Sequence, residues 1–465
     1  MRCGDGAVAW PSPRSAAVSA RPMRSTSRCS RRRTRRTAMA FRNRFLIPLV
    51  ILGLVATSAC GDDSSADGDD SGPVRLGALF PLTGPNAVLG TETFQGAEIA
   101  RQMFNERGGL DGRQIEFAQA DAPDANAATS EATRLINQQR VPIIIGTQSS
   151  ALSLPATQVA ERAGKIYWET VATSDQITKR GFKNVFQYNA TGTAIGTMQA
   201  SAVAEFLAPA LNTTPGALRV AVVAEDSAYG ATIGAAALAK AEELGLNVVA
   251  NESYNAAQTR DFSSLVLKLN QQRVDVMIGA LLVDDTVLFF RQAAQTGFAP
   301  KAVLVTGGVS NPAFLNTFKE KTNGILVGDT PASASLPDSA LTPDAVAVRD
   351  EYRKRYIEAY GEEKLSTNSD LGFSGTWVLL NEVLPKAASL STDDIRAAAQ
   401  SLDLPLGSTL LGYGIKYSTD EANAGLNTRA LTTVTQWQDG KLVTVYPKEF
   451  TTAQPIDLPL PAWGN

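Results

Sequence analysis

Three segments of the sequence place small polar residues directly after short apolar runs that are typical of buried strands. They are residues 147–155, 169–175 and 225–230. The first segment brings the hydroxyls of Ser149 and Ser150 to the entry of a helix, where free backbone N–H groups bind carboxylates. Such a site holds an anionic group by hydrogen bonds and needs no nucleophile.

Each segment also has a purely structural interpretation. Ser153 is expected to cap the helix of the first segment, because Ser149 and Ser150 lie too early for that role. In the third segment, Tyr229 is placed to cover a small molecule while Gly230 opens a helix. A lone tyrosine is more often a half-buried packing residue, so this segment alone does not indicate a ligand.

The chain contains no histidine among its 465 residues. This excludes Ser-His-Asp and Cys-His nucleophiles, histidine proton shuttles and histidine-ligated zinc. Residues 372–375 resemble a nucleophile turn, but they lack its last glycine, and no histidine exists to activate Ser374. The sequence also has no phosphate loop ending in Gly-Lys-Ser/Thr. We therefore expect no enzyme activity, no cofactor and no metal site, with any ATP hydrolysis in a separate subunit.

The N-terminal region is typical of an export signal. Residues 41–60 contain two arginines, an uncharged apolar run and small residues before Cys60. The run is too short to cross a hydrocarbon core of about 30 Å comfortably as a helix. Small residues before a lone cysteine resemble the lipobox of bacterial lipoproteins, which predicts lipidation of Cys60. The alternative is cleavage after Ala59 with Cys60 incidental.

Charge separates this region from the rest of the chain. The first 44 residues carry 12 arginines and one acidic residue, Asp5, so the remainder is acidic and a nucleic-acid partner is not expected. A signal that included residues 1–38 would be longer than usual, which suggests a mis-called start codon. The alternative is a long n-region or a twin-arginine export signal. In either case the predicted signal region ends at residue 59. Residues 60–72 form a solvated Asp/Ser/Gly tether behind the lipidated cysteine.

From residue 74 onward, short apolar runs alternate with turns and amphipathic helices. Ten strands are predicted, at residues 75–80, 114–119, 142–146, 165–168, 185–188, 219–224, 248–251, 276–281, 302–306 and 325–328. Eight helices are predicted, at residues 93–106, 125–139, 153–162, 193–207, 231–244, 263–272, 286–295 and 312–321. Most strands are continuously apolar, as in parallel sheets covered by helices on both faces. The fold class is therefore α/β, doubly wound.

Ten strands exceed one compact open sheet, so two lobes joined by a hinge are expected. The predicted first lobe contains residues 73–190 and 331–430, and the second contains residues 191–330 and 431–465. In open α/β sheets a ligand lies beyond the carboxyl ends of the strands. The predicted site is therefore the cleft between the lobes.

Six segments, taken in order, resemble type I periplasmic binding proteins of the leucine/isoleucine/valine-binding branch. They are residues 77–85, 96–100, 105–112, 144–150, 220–230 and 261–265. The resemblance implies the two-lobe fold and the role of substrate-binding component of an ABC importer. It also implies that a ligand α-carboxylate meets Ser150, the backbone of Val171, and the hydroxyl and backbone of Thr173, while Tyr229 closes from the other lobe.

The predicted ligand-binding positions combine these residues with their neighbours in the strand-end loops. They are Gln148, Ser149, Ser150, Glu169, Val171, Ala172, Thr173, Asp226, Tyr229, Leu282 and Gly307.

Three positions depart from the family pattern. Amino-acid binders of this branch pair the α-ammonium with an acidic residue where this chain has Gly307, and carry aromatics where it has Leu89 and Leu282. An unpaired buried ammonium costs several kcal/mol. Either a nearby acid replaces the missing one, or the ligand has no ammonium. The candidate acids are Glu169, Asp226 and the pair Asp284 and Asp285, although the pair is also a natural helix cap.

These features predict an extracytoplasmic, lipid-anchored, monomeric solute-binding protein that delivers its ligand to ABC permease subunits. The ligand is an amino acid-like molecule, a carboxylate or an amide, and the resemblance favours a branched-chain amino acid. The mechanism is binding with hinge closure. The alternative is a ligand-sensing surface receptor of the same fold that is not coupled to transport.

Overall fold

The structure is a computed structural model that describes residues 72–461. The predicted signal, Cys60 and most of the predicted tether lie outside the described residues. Within the described part of the chain, no helix is both long enough and apolar enough to span a membrane.

Twelve strands and twelve helices form the body of residues 72–461. The strands are β1 (Val74–Phe80), β2 (Ile115–Asp121), β3 (Ile143–Gly146), β4 (Ile166–Glu169), β5 (Val185–Gln187), β6 (Arg219–Glu225), β7 (Asn247–Tyr254), β8 (Val276–Leu281), β9 (Ala302–Gly307), β10 (Leu326–Asp329), β11 (Thr433–Gln438) and β12 (Lys441–Tyr446). The helices are α1 (Ala87–Glu106), α2 (Ala125–Asn137), α3 (Ser150–Arg162), α4 (Gly192–Ala202), α5 (Ala208–Ala210), α6 (Ala228–Glu243), α7 (Ser263–Gln271), α8 (Val283–Thr296), α9 (Pro312–Phe318), α10 (Pro343–Tyr360), α11 (Thr367–Val378) and α12 (Thr392–Gln400).

The strands form two separate sheets. The first is fully parallel, in the order β2-β1-β3-β4-β5. The second repeats this order with β7-β6-β8-β9-β10 and adds the antiparallel strands β11 and β12 beside β10. We call the first sheet with α1–α3 and α10–α12 the first lobe, and the second sheet with α4–α9 the second lobe. The predicted doubly wound, two-lobe α/β fold is confirmed.

Apolar side chains alternate between two cores on opposite faces of each sheet. In β1, Leu76 and Ala78 belong to the core shared with α1, whereas Leu79 belongs to the core shared with α2 and α3. In β6, Val223 and Val222 divide in the same way. Both faces are covered by helices, which explains why the strands are continuous apolar runs.

Close backbone packing joins α1 to α11. A Cβ on Gly96 would lie 2.0 Å from the Ser369 carbonyl oxygen, and one on Gly372 would lie 2.1 Å from the Thr93 carbonyl oxygen. Glycine is therefore required at both contacts. Residues 372–375, which resemble a nucleophile turn, lie within α11, and the buried Ser374 hydroxyl is 2.6 Å from that of Tyr188.

All ten predicted strands and all eight predicted helices are present, but α5, α10–α12, β11 and β12 were not predicted. Several predicted helix starts are wrong. Helices α1, α3, α6 and α8 all begin earlier than the periodicity of their apolar residues indicated. In these four helices, residues that were expected to form a loop after the strand instead form the first helical turn. The backbone N–H groups of that turn therefore lie at the carboxyl end of the strand.

Candidate functional site

A cavity of about 220 Å³ lies between the carboxyl ends of the two sheets. The first lobe contributes residues that follow β1, β3, β4 and β5 and the first turns of α11, and the second lobe contributes residues at the ends of β6, β8, β9 and β10. The volume is below the range of about 300–1,000 Å³ typical of drug-sized ligands. A cavity of this size is suited to one small metabolite.

Sheet topology explains the position of the cavity. In each sheet the order of strands reverses beside the first strand, between β1 and β3 in one lobe and between β6 and β8 in the other. The connections that leave such a pair diverge to opposite faces and open a crevice. Because the two crevices face each other, the loops that the sequence singled out meet across one cavity.

All predicted ligand-binding residues except Glu169 and Asp226 line this cavity. Gln148, Ser149 and Ser150 come from the connection between β3 and α3, and Val171, Ala172 and Thr173 from the connection after β4. Tyr229, Leu282 and Gly307 line it from the second lobe.

The connection after β3 presents polar atoms to the cavity. Ser149 is the N-cap residue of α3 but accepts no capping hydrogen bond, and the Ser150 hydroxyl accepts from the Ser174 amide at 3.1 Å. The side-chain oxygens of Gln148 and Thr173 are buried and have no partner among the described residues. A buried polar atom without a partner is costly, so these atoms are suited to a ligand that hydrogen-bonds.

The expected capping role of Ser153 is wrong. The helix begins at Ser150, so Ser153 lies inside its first turn, where its hydroxyl is 3.0 Å from the Ser149 carbonyl oxygen and 2.5 Å from a Glu169 carboxylate oxygen. Ser153 therefore joins α3 to the end of β4.

Glu169 is fully buried and does not line the cavity. Its carboxylate accepts hydrogen bonds from the amides of Thr147, Val171 and Ala172 at 2.9–3.0 Å. Burial raises its pKa, while the Ser153 hydroxyl and these amides oppose the rise. Glu169 holds two cavity-lining loops in position and offers no face to a ligand.

The other acids weighed as ammonium partners also lie off the cavity. Asp226 is exposed and accepts a hydrogen bond from the Asn255 side chain at 2.8 Å. Asp285 is buried and accepts from the Tyr254 hydroxyl at 3.1 Å, and Asp284 is exposed on the first turn of α8. None of the three belongs to the lining.

The backbone at Gly307 explains why no acidic side chain occurs there. Its φ is +85°, and a Cβ would lie 2.2 Å from the Leu281 carbonyl oxygen and 3.0 Å from the Tyr229 hydroxyl oxygen. Only glycine fits this conformation without strain. The Tyr229 hydroxyl occupies the neighbouring space and donates to the Thr306 hydroxyl at 3.2 Å.

Asp329, the last residue of β10, is the acid that does line the cavity. Its carboxylate accepts from the Thr306 hydroxyl, from the backbone amide of Gly307 and from that of Thr330 at 2.7 Å. Burial raises its pKa against these hydrogen bonds. The sequence prediction missed Asp329, although it directly follows a predicted strand and the rule used for the other loops points to it.

Further lining residues were also missed. Asn189 follows β5 and lines the cavity. Its side chain donates to the Val171 carbonyl at 2.7 Å and accepts from the Thr330 hydroxyl at 2.8 Å. It therefore links the segment after β4 in the first lobe to the segment after β10 in the second. Asn368 and Leu371 come from α11, a helix that was not predicted. Leu371 and Leu89 give the first-lobe wall an apolar part, opposite Leu282 and Val283.

Comparison with known proteins agrees with this architecture. The periplasmic binding protein family model matches residues 73–441. The Leu/Ile/Val-binding protein homolog 7 of Brucella suis biovar 1 (strain 1330) is 35% identical over 401 residues, which cover 86% of this chain and 96% of that protein. Homolog 8 of the same strain is 33% identical over 405 residues, which cover 87% and 96%.

Solved structures show the same fold. A leucine binding protein, LivK, from Thermotoga maritima has a TM-score of 0.68 at 22% identity and covers 80% of this chain and 98% of its own. The branched-chain amino acid transporter substrate binding protein LivJ from Streptococcus pneumoniae, solved in complex with isoleucine, has a TM-score of 0.66 at 22% identity and covers 81% and 100%. The family match and the curated relatives together show that this chain belongs to the periplasmic binding protein family.

Proposed function

We propose that the protein is the extracytoplasmic substrate-binding component of an ABC importer and that it binds a small amino acid between its lobes. The observation that carries the proposal is the cavity at the carboxyl ends of both sheets, with hydroxyls on one wall and Tyr229 on the other. A ligand that contacts both walls stabilises the closed arrangement, because only that arrangement supplies all of its contacts.

The chemistry of the first-lobe wall supports a carboxylate in the ligand. The Ser150 hydroxyl, the Thr173 hydroxyl and the free amides at the start of α3 are all donors. The leucine and valine side chains at the rim support an aliphatic group beside it. Leu/Ile/Val-binding relatives and a neighbour solved with isoleucine point to the same class, the branched-chain amino acids.

A thermal-shift screen of the purified chain from residue 61 tests this proposal. Leucine, isoleucine and valine are expected to stabilise the protein by about 2.7 kcal/mol at a hundredfold excess over Kd. The double variant Ser150→Ala/Thr173→Val is expected to lose most of this shift, whereas Ser130→Ala, an exposed hydroxyl on α2, leaves it unchanged. If amino acids, carboxylates and amides all leave the melting temperature unchanged, the proposal is wrong.

Transport is tested separately from binding. A strain that lacks the gene is expected to take up the labelled ligand more slowly, and the wild-type gene is expected to restore uptake. Normal uptake in the deletion strain would instead favour a sensing receptor.

The anchoring proposal depends on Cys60. A Cys60→Ala variant is expected to appear in the soluble extracytoplasmic fraction and to lose labelling by a palmitate analogue. Retention of the variant in the membrane fraction would contradict lipidation at this residue.

A further inference from the structure

Asp329 is a carboxylate in the wall of the cavity that lacks a cationic partner. Its hydrogen-bond donors are neutral hydroxyls and backbone amides from β9 and from its own loop. No lysine or arginine among residues 72–461 forms an ion pair with it. Asp329 is half-buried. A carboxylate that is partly shielded from water and has no counter-charge is costly, and the cost is relieved when a cation enters the cavity.

The surrounding structure fixes this carboxylate in place. Thr306 lies between Asp329 and Tyr229, since its hydroxyl contacts the Asp329 carboxylate and accepts from the Tyr229 hydroxyl. The Gly307 amide donates to the same carboxylate. Asp329 is thus held rigidly at the cavity wall, directly beside the residue whose backbone excludes a side chain.

We infer that Asp329 binds the positively charged ammonium group of the ligand and thereby selects a zwitterionic amino acid over the corresponding neutral or purely anionic molecule. The inference rests on the proposed function and specifies its ligand.

The opposite wall supplies the complementary part of the site. The described residues that line it are uncharged, with hydroxyl and amide donors at Ser150 and Thr173. Asn189 connects the two walls, because one side chain contacts both the Val171 carbonyl and the Thr330 hydroxyl, next to Asp329. One small cavity is therefore lined both by hydrogen-bond donors for the carboxylate of a ligand and by the Asp329 carboxylate for its ammonium. This arrangement matches the two charged ends of an amino acid.

The first test compares three probes on the wild-type protein. Leucine carries both groups, 4-methylpentanoate lacks the ammonium, and 3-methylbutylamine lacks the carboxylate. By calorimetry at pH 7.5, leucine is expected to bind roughly 30-fold or more tightly than 4-methylpentanoate, because loss of one partner leaves the other charge buried and unpaired. Equal affinity of these two ligands would overturn the inference and leave the proposed function intact.

The second test uses Asp329→Asn, which removes the charge and keeps a similar shape. The variant is expected to bind leucine roughly 30-fold or more weakly and to bind 4-methylpentanoate at least as well as the wild type. Asp226→Asn, an acid of the same lobe outside the cavity, is the matched control and should bind both probes like the wild type.

The outcomes separate the two levels of the hypothesis. Unchanged leucine affinity in Asp329→Asn shows that Asp329 only holds Thr306 and Gly307, and the inference is wrong. If none of the three probes nor any other amino acid binds the wild-type protein, the proposed function itself fails. If the variant does not fold, the comparison of probes on the wild-type protein still decides the matter.

Discussion

A buried carboxylate and a half-buried carboxylate end strands in the two lobes, and they do different things. Glu169 ends β4 and Asp329 ends β10. Both have pKa values raised by burial. Glu169 is enclosed by amides from two loops and by a hydroxyl of α3, so it faces only protein. Asp329 is held from one side and faces the cavity on the other.

The difference shows that position after a strand does not decide whether an acid meets a ligand. The next residues decide it. After Glu169 the chain turns back so that the amides of Val171 and Ala172 both point at one carboxylate oxygen. After Asp329 only the Thr330 amide does so, because residue 331 is a proline, which has no amide hydrogen, and the chain continues toward the other lobe.

The largest effect is expected from Glu169→Ala. The change leaves the amides of Thr147, Val171 and Ala172 without their acceptor. Unsatisfied buried donors cost about 1–3 kcal/mol each, so a loss of about 4 kcal/mol in unfolding free energy is expected in urea titrations. Asp226→Ala, at an exposed acid, should change stability by about 0.5 kcal/mol or less. Similar stabilities of the two variants would contradict the structural role given to Glu169.

A smaller effect is expected from Gly307→Ala, which probes the backbone beside Asp329. The φ of +85° and the contact with the Leu281 carbonyl oxygen should together cost about 2 kcal/mol of unfolding free energy. Gly245→Ala is the matched control, because its φ is +65° but nothing lies within 4 Å of the added Cβ. Its cost should be about 1 kcal/mol. Equal losses would mean that the contact at Gly307 relaxes and that the position tolerates a side chain.

Much of the fold was predictable because its strands are continuous apolar runs flanked by amphipathic helices. The C-terminal part was not. In α11, Ser369, Asp370 and Ser374 are buried polar residues, so the helix lacks the apolar stripe that reveals a surface helix. Its partners lie in α1, far away in sequence, and only the glycine contacts of the folded chain explain its composition.

The candidate site was predictable only in part. Most of the predicted loop residues line the cavity because the carboxyl ends of parallel strands gather at one edge. Glu169 could not be separated from Asp329 by sequence, since both follow apolar runs and are followed by threonine. Their different roles depend on the direction of the following backbone, and the positive φ of Gly307 is a property of the folded chain.

The affinity for an ammonium ligand is expected to depend on pH through Asp329. Only the ionised carboxylate pairs with a cation, so affinity falls as pH is lowered and Asp329 becomes protonated. Because its pKa is raised, this fall begins at a higher pH than it would for an ordinary aspartate, and it amounts to at most about tenfold per pH unit. Tyr229 and Tyr413, which face it, stay neutral because burial raises their pKa values well above 10. The negative charge of the buried Glu225 carboxylate also raises the pKa of Tyr229. Glu225 itself accepts hydrogen bonds from the amides of Ser227 and Gly230 in its own loop.

Calorimetry of leucine binding between pH 4 and pH 8 measures this dependence. Asp329→Asn is the control, because it retains Glu92, a first-lobe carboxyl whose pKa burial raises to about 7. The pH dependence of the variant should be weaker than that of the wild type. Identical profiles would assign the titration to Glu92 or to another group and not to Asp329.

The smallest effect, and the one that separates the two carboxylates most directly, concerns the ligand-free protein. A folded-state pKa above the unfolded value means that Asp329 lowers stability once pH rises through that folded-state pKa, and has no such cost below the unfolded value. Asp329→Asn should therefore raise the unfolding free energy at pH 7, with the gain vanishing near pH 4. Glu169→Gln should not stabilise at either pH, because its amide nitrogen cannot accept from the backbone amides that hold the native carboxylate. Loss of stability in both variants at pH 7 would mean that Asp329 is as well satisfied as Glu169 and needs no ligand cation.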